Sequence, residues 1–162
     1  MVRSDMENSY IGVNIWGKMI SIELVQKHGI IFAEVRWGND VKFSTLCSYY
    51  SGKNVDICSD LLYCATIRKN SVVTEKNTEE NVMCRLNVAL WFDRFVCKHH
   101  MQMAKQFIDY PSRSFSYLSQ MRQFGEKAYR KAKIHYLKHA CFSVLLKDFG
   151  HVLRFRVRHM LP

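Results

Sequence analysis

The chain has 162 residues, 48% of them hydrophobic and 13% aromatic, which suffices for the core of one ordinary domain and excludes global disorder. Its formal net charge is +10 at pH 7, and the positive excess lies wholly in the C-terminal part, which indicates an anionic partner. No stretch approaches the roughly 18 apolar residues that span a bilayer, and the N-terminus lacks the apolar segment of a secretory signal. The predicted location is therefore intracellular, in the cytoplasm or nucleus.

The first third of the sequence predicts an antiparallel β-meander over about residues 10–47. Four short segments rich in β-branched and aromatic residues are separated by short turn signals. One of these signals contains Gly17, and another is the run Gly38, Asn39 and Asp40. Alternation of apolar and polar residues is clearest over 31–37, which predicts a strand with one buried face.

Two long helices and a closing strand are predicted next. Asn77 and Glu80 have the spacing of a capping box, and the apolar residues that follow recur at helical intervals over about 77–109. A second helix, capped by Ser112 or Ser114, is expected over about 113–147. Gly150 then stops it, and residues 151–158 read as a strand. The expectation is one α+β domain over 1–162, with both helices packed on the meander.

The positive charge is concentrated in the C-terminal part of the chain. Residues 94–162 contain fourteen Lys/Arg and three Asp/Glu, whereas residues 1–93 contain ten and eleven. Such polarity favours RNA or DNA as the partner, because lysine and arginine neutralise phosphates and release counterions. The residues of the second helix expected to contact phosphate are Arg122, Lys127, Arg130, Lys131, Lys133 and Lys138. Tyr129, His135 and Tyr136 are interleaved with them and are expected to stack on bases.

The last predicted strand supplies a second set of cations. Arg154, Arg156 and Arg158 alternate with apolar residues, so in a strand all three side chains point to the same side, roughly 6.6 Å apart. This separation resembles the phosphate repeat of a nucleic-acid strand, and arginine binds phosphate with two hydrogen bonds. The row is therefore a predicted phosphate track. A solvated basic face, or protection of an edge strand, explains the same pattern.

A protein partner is the competing hypothesis. Leu137, Cys141 and Leu145 follow the order L-x-x-x-C-x-x-x-L, and the stretch 136–145 resembles the elongin-binding box of substrate receptors of cullin ubiquitin ligases. This resemblance implies a helix that recruits a partner, with the leucine and cysteine entering an apolar pocket. The alternative functions are thus an adaptor protein, or a structural subunit of a ribonucleoprotein. The oligomeric state is left open.

Catalytic, cofactor and metal sites have little support in the sequence. There is no glycine-rich nucleotide-binding loop and no nucleophile elbow, so a non-enzymatic protein without a cofactor is expected. The six cysteines are expected to be reduced thiols, most of them buried. Zinc is left open, and the best ligand set for it is Cys97, His99, His135 and His139, since histidines four apart share a helical face.

Overall fold

A computed structural model describes residues 17–52, 64, 76–99 and 112–160, with side chains described as far as Leu153. Its packing divides the chain into two compact units, Met1–Thr78 and Glu79–Pro162, and each is treated by itself below. The described residues form helices, turns and irregular segments and contain no strand. The predicted α+β class is therefore wrong. Each unit is defined by its own internal packing, which does not test how many domains the chain forms. The single domain therefore stays a prediction.

The described part of the first unit contains two helices whose N-termini have recognisable signals. Helix α1, Ile22–Lys27, begins after Ser21, whose hydroxyl accepts a hydrogen bond from the Leu24 N–H at 3.2 Å. Helix α2, Asn39–Ser51, begins after Gly38, which has a φ of 70°. Asp40 lies in the first turn of α2, where a negative charge is favourable near the helix N-terminus.

A small apolar core holds the first unit together. Ile30, Phe43 and Cys47 are buried, and Phe43 and Cys47 are four residues apart on one side of α2. The ring of Phe32 stacks on that of Phe43, with centroids 4.1 Å apart. These contacts join the irregular segment after α1 to α2.

The β-meander predicted over about 10–47 is wrong in the described part of that range. The run Gly38, Asn39 and Asp40, expected to form a hairpin turn, is the start of α2. Glycine, asparagine and aspartate favour both tight turns and helix N-termini, so the local signal fits either structure. Residues 31–37 alternate in polarity but form an irregular segment. The residues before Gly17 lie outside the described part of the chain.

The described residues of the second unit form four helices and one tight turn. Their bounds are α3 Glu79–Lys98, α4 Arg113–Gln120, the 3-10 turn Met121–Phe124, α5 Glu126–His139 and α6 Phe142–Met160. Ser112 caps α4, since its hydroxyl accepts a hydrogen bond from the Phe115 N–H at 3.1 Å. The core is formed by α3, α4 and α5 around Leu86, Leu90 and Ala132, each at most 1% exposed.

The second predicted helix, 113–147, is divided into three. Gly125, with φ 96° and ψ 167°, separates the 3-10 turn from α5. Ala140 is extended, with φ −71° and ψ 143°, and separates α5 from α6. The first predicted helix begins as α3 at Glu79, and its expected end near 109 lies outside the described residues.

The predicted C-terminal strand is also wrong, because residues 151–158 lie within α6. Gly150 does not stop the helix, since it is not among the glycines with a positive φ. Four exposed apolar residues of α6 are spaced four, three and four apart: Phe142, Leu146, Phe149 and Leu153. That spacing is helical, whereas the alternation after Gly150 suggested a strand.

Glycine at position 125 is required by its backbone conformation. We expect Gly125→Ala to lower the free energy of unfolding by about 1–3 kcal/mol, because a residue with a Cβ is strained there. No atom lies within 4 Å of the position of an added Cβ, so backbone strain is the cause to be tested. Urea denaturation measures the change.

The matched control is Gly150→Ala within α6, where an added Cβ also meets no atom within 4 Å. It should raise the free energy of unfolding by up to about 1 kcal/mol, since alanine favours helix. An equal effect of both substitutions would contradict the assignment of strain to Gly125.

Candidate functional site

A cluster of hydrogen-bonded polar side chains lies inside the second unit, around the carboxylate of Asp148. Asp148 is 2% exposed. Its Oδ1 accepts a hydrogen bond from the Ser112 N–H at 2.7 Å, and its Oδ2 accepts from the hydroxyls of Ser112 and Tyr136, each at 2.5 Å. This carboxylate therefore connects α6 to the N-terminus of α4 and to α5.

Asp93 of α3 belongs to the same cluster. Its Oδ2 accepts a hydrogen bond from the Ser114 hydroxyl at 2.5 Å, and the hydroxyl oxygens of Ser114 and Ser112 are 3.0 Å apart. Each serine hydroxyl has a single proton, so with both carboxylates ionised no proton is left between the two serines. A proton on Asp93 completes the series of hydrogen bonds from Asp93 to Asp148. Asp93 then donates to Ser114, and Ser114 donates to Ser112, which keeps its bond to Asp148.

The electrostatics of the cluster favour this proton on Asp93 at acidic pH. Burial is the main cause that raises the pKa of Asp93 from 3.8 to about 6, and the charge of Asp148 adds to it, while the Ser114 hydrogen bond opposes it. Burial and the hydrogen bond to Asp148 raise the pKa of Tyr136. The phenol therefore remains a donor to Asp148.

The basic residues predicted to contact phosphate lie on the surface of α5. This helix buries Ala128, Ala132 and Tyr136, which follow one another at intervals of four. All the predicted cations of α5 are exposed and lie away from that buried side: Lys127, Arg130, Lys131, Lys133 and Lys138. From Lys127 to Lys138 the helix rises about 16 Å, a length that covers several phosphates of one strand.

Two of the predicted arginines already have partners. The guanidinium carbon of Arg122 lies 4.7 Å from the ring centroid of Tyr129, and its Nη2 donates to the Tyr129 hydroxyl at 3.2 Å. Arg130 pairs with Glu126 at 3.9 Å between exposed side chains, an interaction worth at most about 1 kcal/mol. Within the described residues, the lysines 127, 131, 133 and 138 pair with no carboxylate. These lysines are therefore available to a ligand.

Few negative charges lie beside these cations on the second unit. Of the three acids in 94–162, Asp148 is buried and Asp109 lies outside the described residues. Glu126 is thus the one exposed carboxylate in the described part of that range. The outer side of α5 is consequently basic.

The three C-terminal arginines do not form the predicted row. In α6, Arg154 and Arg158 are one turn apart, whereas Arg156 is about 200° around the helix axis from Arg154. The predicted phosphate track required a strand, in which all three arginine side chains point to the same side. A helix does not place them on the same side. Their side chains lie outside the described residues.

The stretch that resembles an elongin-binding box is not one helix. Leu137 is in α5 and 54% exposed, Leu145 is in α6 and packs against the core, and Cys141 lies between the two helices. The expected helical face through these three residues is therefore absent. A role for them in binding a partner stays a prediction without that geometric support.

The predicted zinc ligands are distributed over two helices. The rings of His135 and His139 in α5 are 4.4 Å apart, and burial lowers the pKa of His135. Cys97 and His99 lie at the end of α3, where the ring of His99 packs on Phe95. Among the described residues, no three Cys, His, Asp or Glu side chains come together to hold a metal ion.

The cysteines are more accessible than predicted. The five described ones are free thiols, and of these only Cys47 is buried, so the expected burial of most cysteines is wrong. The other four are partly or fully exposed: Cys64, Cys84, Cys97 and Cys141. Cys58 lies outside the described residues.

Comparisons with known proteins identify no relative. No protein-family model, curated protein or solved structure matches the chain. In the part of the chain that the structure describes, no helix combines the length and the apolar character needed to cross a bilayer.

The buried polar cluster was missed by the sequence interpretation. Ser112 and Ser114 were recognised as candidate caps, but nothing local shows that a cap hydroxyl also reaches Asp148, 36 residues later. One signal was present, because Asp148 is an isolated acid among apolar and basic residues of α6. Acids are mostly exposed, so this signal is weak, but a carboxylate that is fully buried almost always has a partner.

Removing the phenol hydroxyl from the cluster should destabilise the second unit. We expect Tyr136→Phe to lower the free energy of unfolding by about 1.5–3 kcal/mol, because a buried carboxylate loses a hydrogen bond from a neutral donor. Tyr129→Phe is the matched control, since its hydroxyl bonds to the exposed Arg122 among the described residues and its loss should cost at most about 1 kcal/mol. Urea denaturation of both variants at pH 7 measures the difference. Equal costs would contradict the role given to the cluster.

The raised pKa of Asp93 predicts stability that decreases with pH. Between pH 4 and 6 the folded chain retains the Asp93 proton that the unfolded chain has lost, so this group reduces the free energy of unfolding as pH rises through that window. The loss is about 3 kcal/mol, complete above the folded pKa. Asp148 faces Asp93 with a negative charge, and Lys147 and Arg113 face it with positive ones.

The test compares the wild type with Asp93→Asn, whose neutral amide can donate a hydrogen bond to Ser114 as the protonated carboxyl does. The substitution should remove most of the decrease in unfolding free energy between pH 4 and 6, as measured by urea titration at each pH. An unchanged pH dependence would show that another group causes it.

Proposed function

We propose that the protein binds RNA or DNA, without catalysing a reaction, by contacting phosphate groups along the exposed basic side of α5. The observation that carries the proposal is the set of Lys127, Lys131 and Lys138, which are exposed and pair with no carboxylate among the described residues. Their ammonium groups replace counterions on the phosphates, and release of those counterions drives association. Arg130 and Lys133 add to the same positive potential.

The anchoring of α5 supports this use of its outer side. Ala132 is 0% exposed and Tyr136 3% exposed, and Tyr136 is also hydrogen-bonded to Asp148. A helix fixed at its inner side presents its lysines with little loss of backbone entropy on binding. Lysine acts as a point charge toward phosphate, so the contact does not read base sequence.

Stacking on bases is a smaller part of the proposal than the sequence suggested. Tyr136 is buried, and Tyr129 contacts Arg122. Ile134, which is 63% exposed, lies between Lys131 and Lys138 along the helix and provides an apolar contact for a sugar or base. The proposed ligand is therefore a phosphate backbone of any sequence. A location in the cytoplasm or nucleus, where such ligands occur, is part of the proposal.

Neutralising the three lysines should weaken binding and its salt dependence together. For the triple variant Lys127→Gln, Lys131→Gln and Lys138→Gln, we expect the slope of log Kd against log salt to lose about 2–3 units, because roughly one counterion is released per phosphate contact. Fluorescence anisotropy with a labelled single-stranded RNA and a labelled DNA duplex, each at several salt concentrations, measures the slope.

The control variant neutralises three exposed lysines elsewhere in the chain and has the same net charge: Lys27→Gln, Lys76→Gln and Lys98→Gln. It should keep the wild-type slope. A slope near zero for the wild type would remove the proposal, and equal losses in both triples would assign binding to total charge rather than to α5.

A further inference from the structure

Two cysteines approach each other at the surface of the second unit. Cys97 lies in the last turn of α3, and Cys141 lies between α5 and α6. The Ser143 hydroxyl oxygen is 3.2 Å from Cys97 Sγ and 3.7 Å from Cys141 Sγ, so the two sulfurs are no farther apart than the sum of these distances. Cys141 Sγ is also 3.9 Å from the backbone oxygen of Asp93, one turn before Cys97.

The pKa of Cys97 is consistent with a neighbouring thiol. Burial raises the pKa of the Cys97 thiol, and a hydrogen bond with the Cys141 thiol raises it further. Both cysteines are partly exposed. A small molecule can therefore reach the pair, while the protein holds the two sulfurs close to each other.

We propose that Cys97 and Cys141 form a reversible disulfide when the chain meets a small-molecule disulfide such as oxidised glutathione. One thiolate attacks a sulfur of oxidised glutathione, the S–S bond breaks, and one glutathione thiol leaves. The second thiolate attacks the protein sulfur of the mixed disulfide and releases the other glutathione thiol. The two cysteines lose two protons and two electrons, and the oxidant gains them.

Cys84 and Cys47 are poorer partners for either thiol. Cys84 is thirteen residues before Cys97 on the same helix, about 20 Å along its axis. Cys47 is buried in the first unit. A bond between Cys97 and Cys141 closes a loop that joins the end of α3 to the junction of α5 and α6. It restricts the unfolded chain and thereby stabilises the second unit. This inference is independent of nucleic-acid binding.

The test uses the full chain, first reduced and then incubated with oxidised glutathione. Free thiols are alkylated, and the digested protein is analysed by mass spectrometry. The expected product is a peptide pair linked through Cys97 and Cys141, which disappears on treatment with dithiothreitol. Exposed Cys64 should carry glutathione or the alkyl group and thus reports that the oxidant and the reagent reached the protein.

Serine variants separate the pair from a general reactivity of thiols. In Cys97→Ser the remaining Cys141 should retain glutathione as a mixed disulfide, and Cys84→Ser, the matched control on α3, should still form the linked pair. Alkylation of both Cys97 and Cys141 in wild-type protein whose Cys64 carries glutathione would overturn the proposal. A dominant link to any other cysteine, within or between chains, would do the same.

Discussion

The second unit depends on the buried carboxylate of Asp148. Removing a carboxylate from water costs several kcal/mol unless hydrogen bonds replace its hydration. Here one backbone N–H and two hydroxyls do so, and they come from the N-terminus of α4 and from α5. As far as Leu153, where its described side chains end, helix α6 adds Leu145 to the apolar core and leaves several large side chains exposed. Polar contacts therefore help to position this part of α6, and the direction of these hydrogen bonds favours one arrangement of the helices.

The same buried acids account for the charge of the surface. Asp93 and Asp148 are buried in the interior, so their carboxylates do not lie at the surface beside the lysines of α5. The exposed side of α5 is thus basic because these two acids are buried inside the unit. A count of charges along the sequence gives the total, but only the fold shows which of them face solvent.

The sequence predicted the second unit better than the first. Clear signals near the helix starts, such as Glu79 and Glu80 in the first turn of α3 and the Ser112 cap, act locally and are correct. The β-meander predicted for the first unit is wrong because short apolar segments fit either a strand or a helix. The choice depends on packing between residues distant in sequence, such as Phe43 and Ile30. The exposed lysines of α5 followed from helical spacing alone. The cluster around Asp148 joins residues far apart in the chain, and no local sequence pattern indicates that these residues are in contact.

The extended conformation of Ala140 has two consequences for the residues on either side of it. By ending α5 at His139, it prevents Leu137 and Leu145 from sharing a helical face, which removes the geometry that a helical recruitment motif needs. The same bend turns the chain toward α3 and places Cys141 beside the backbone oxygen of Asp93 and near Cys97. In a continuous helix Cys141 would follow Leu137 by one turn, on a side of α5 that is exposed. A single backbone conformation thus prevents an exposed helical motif and places both thiols beside the Ser143 hydroxyl.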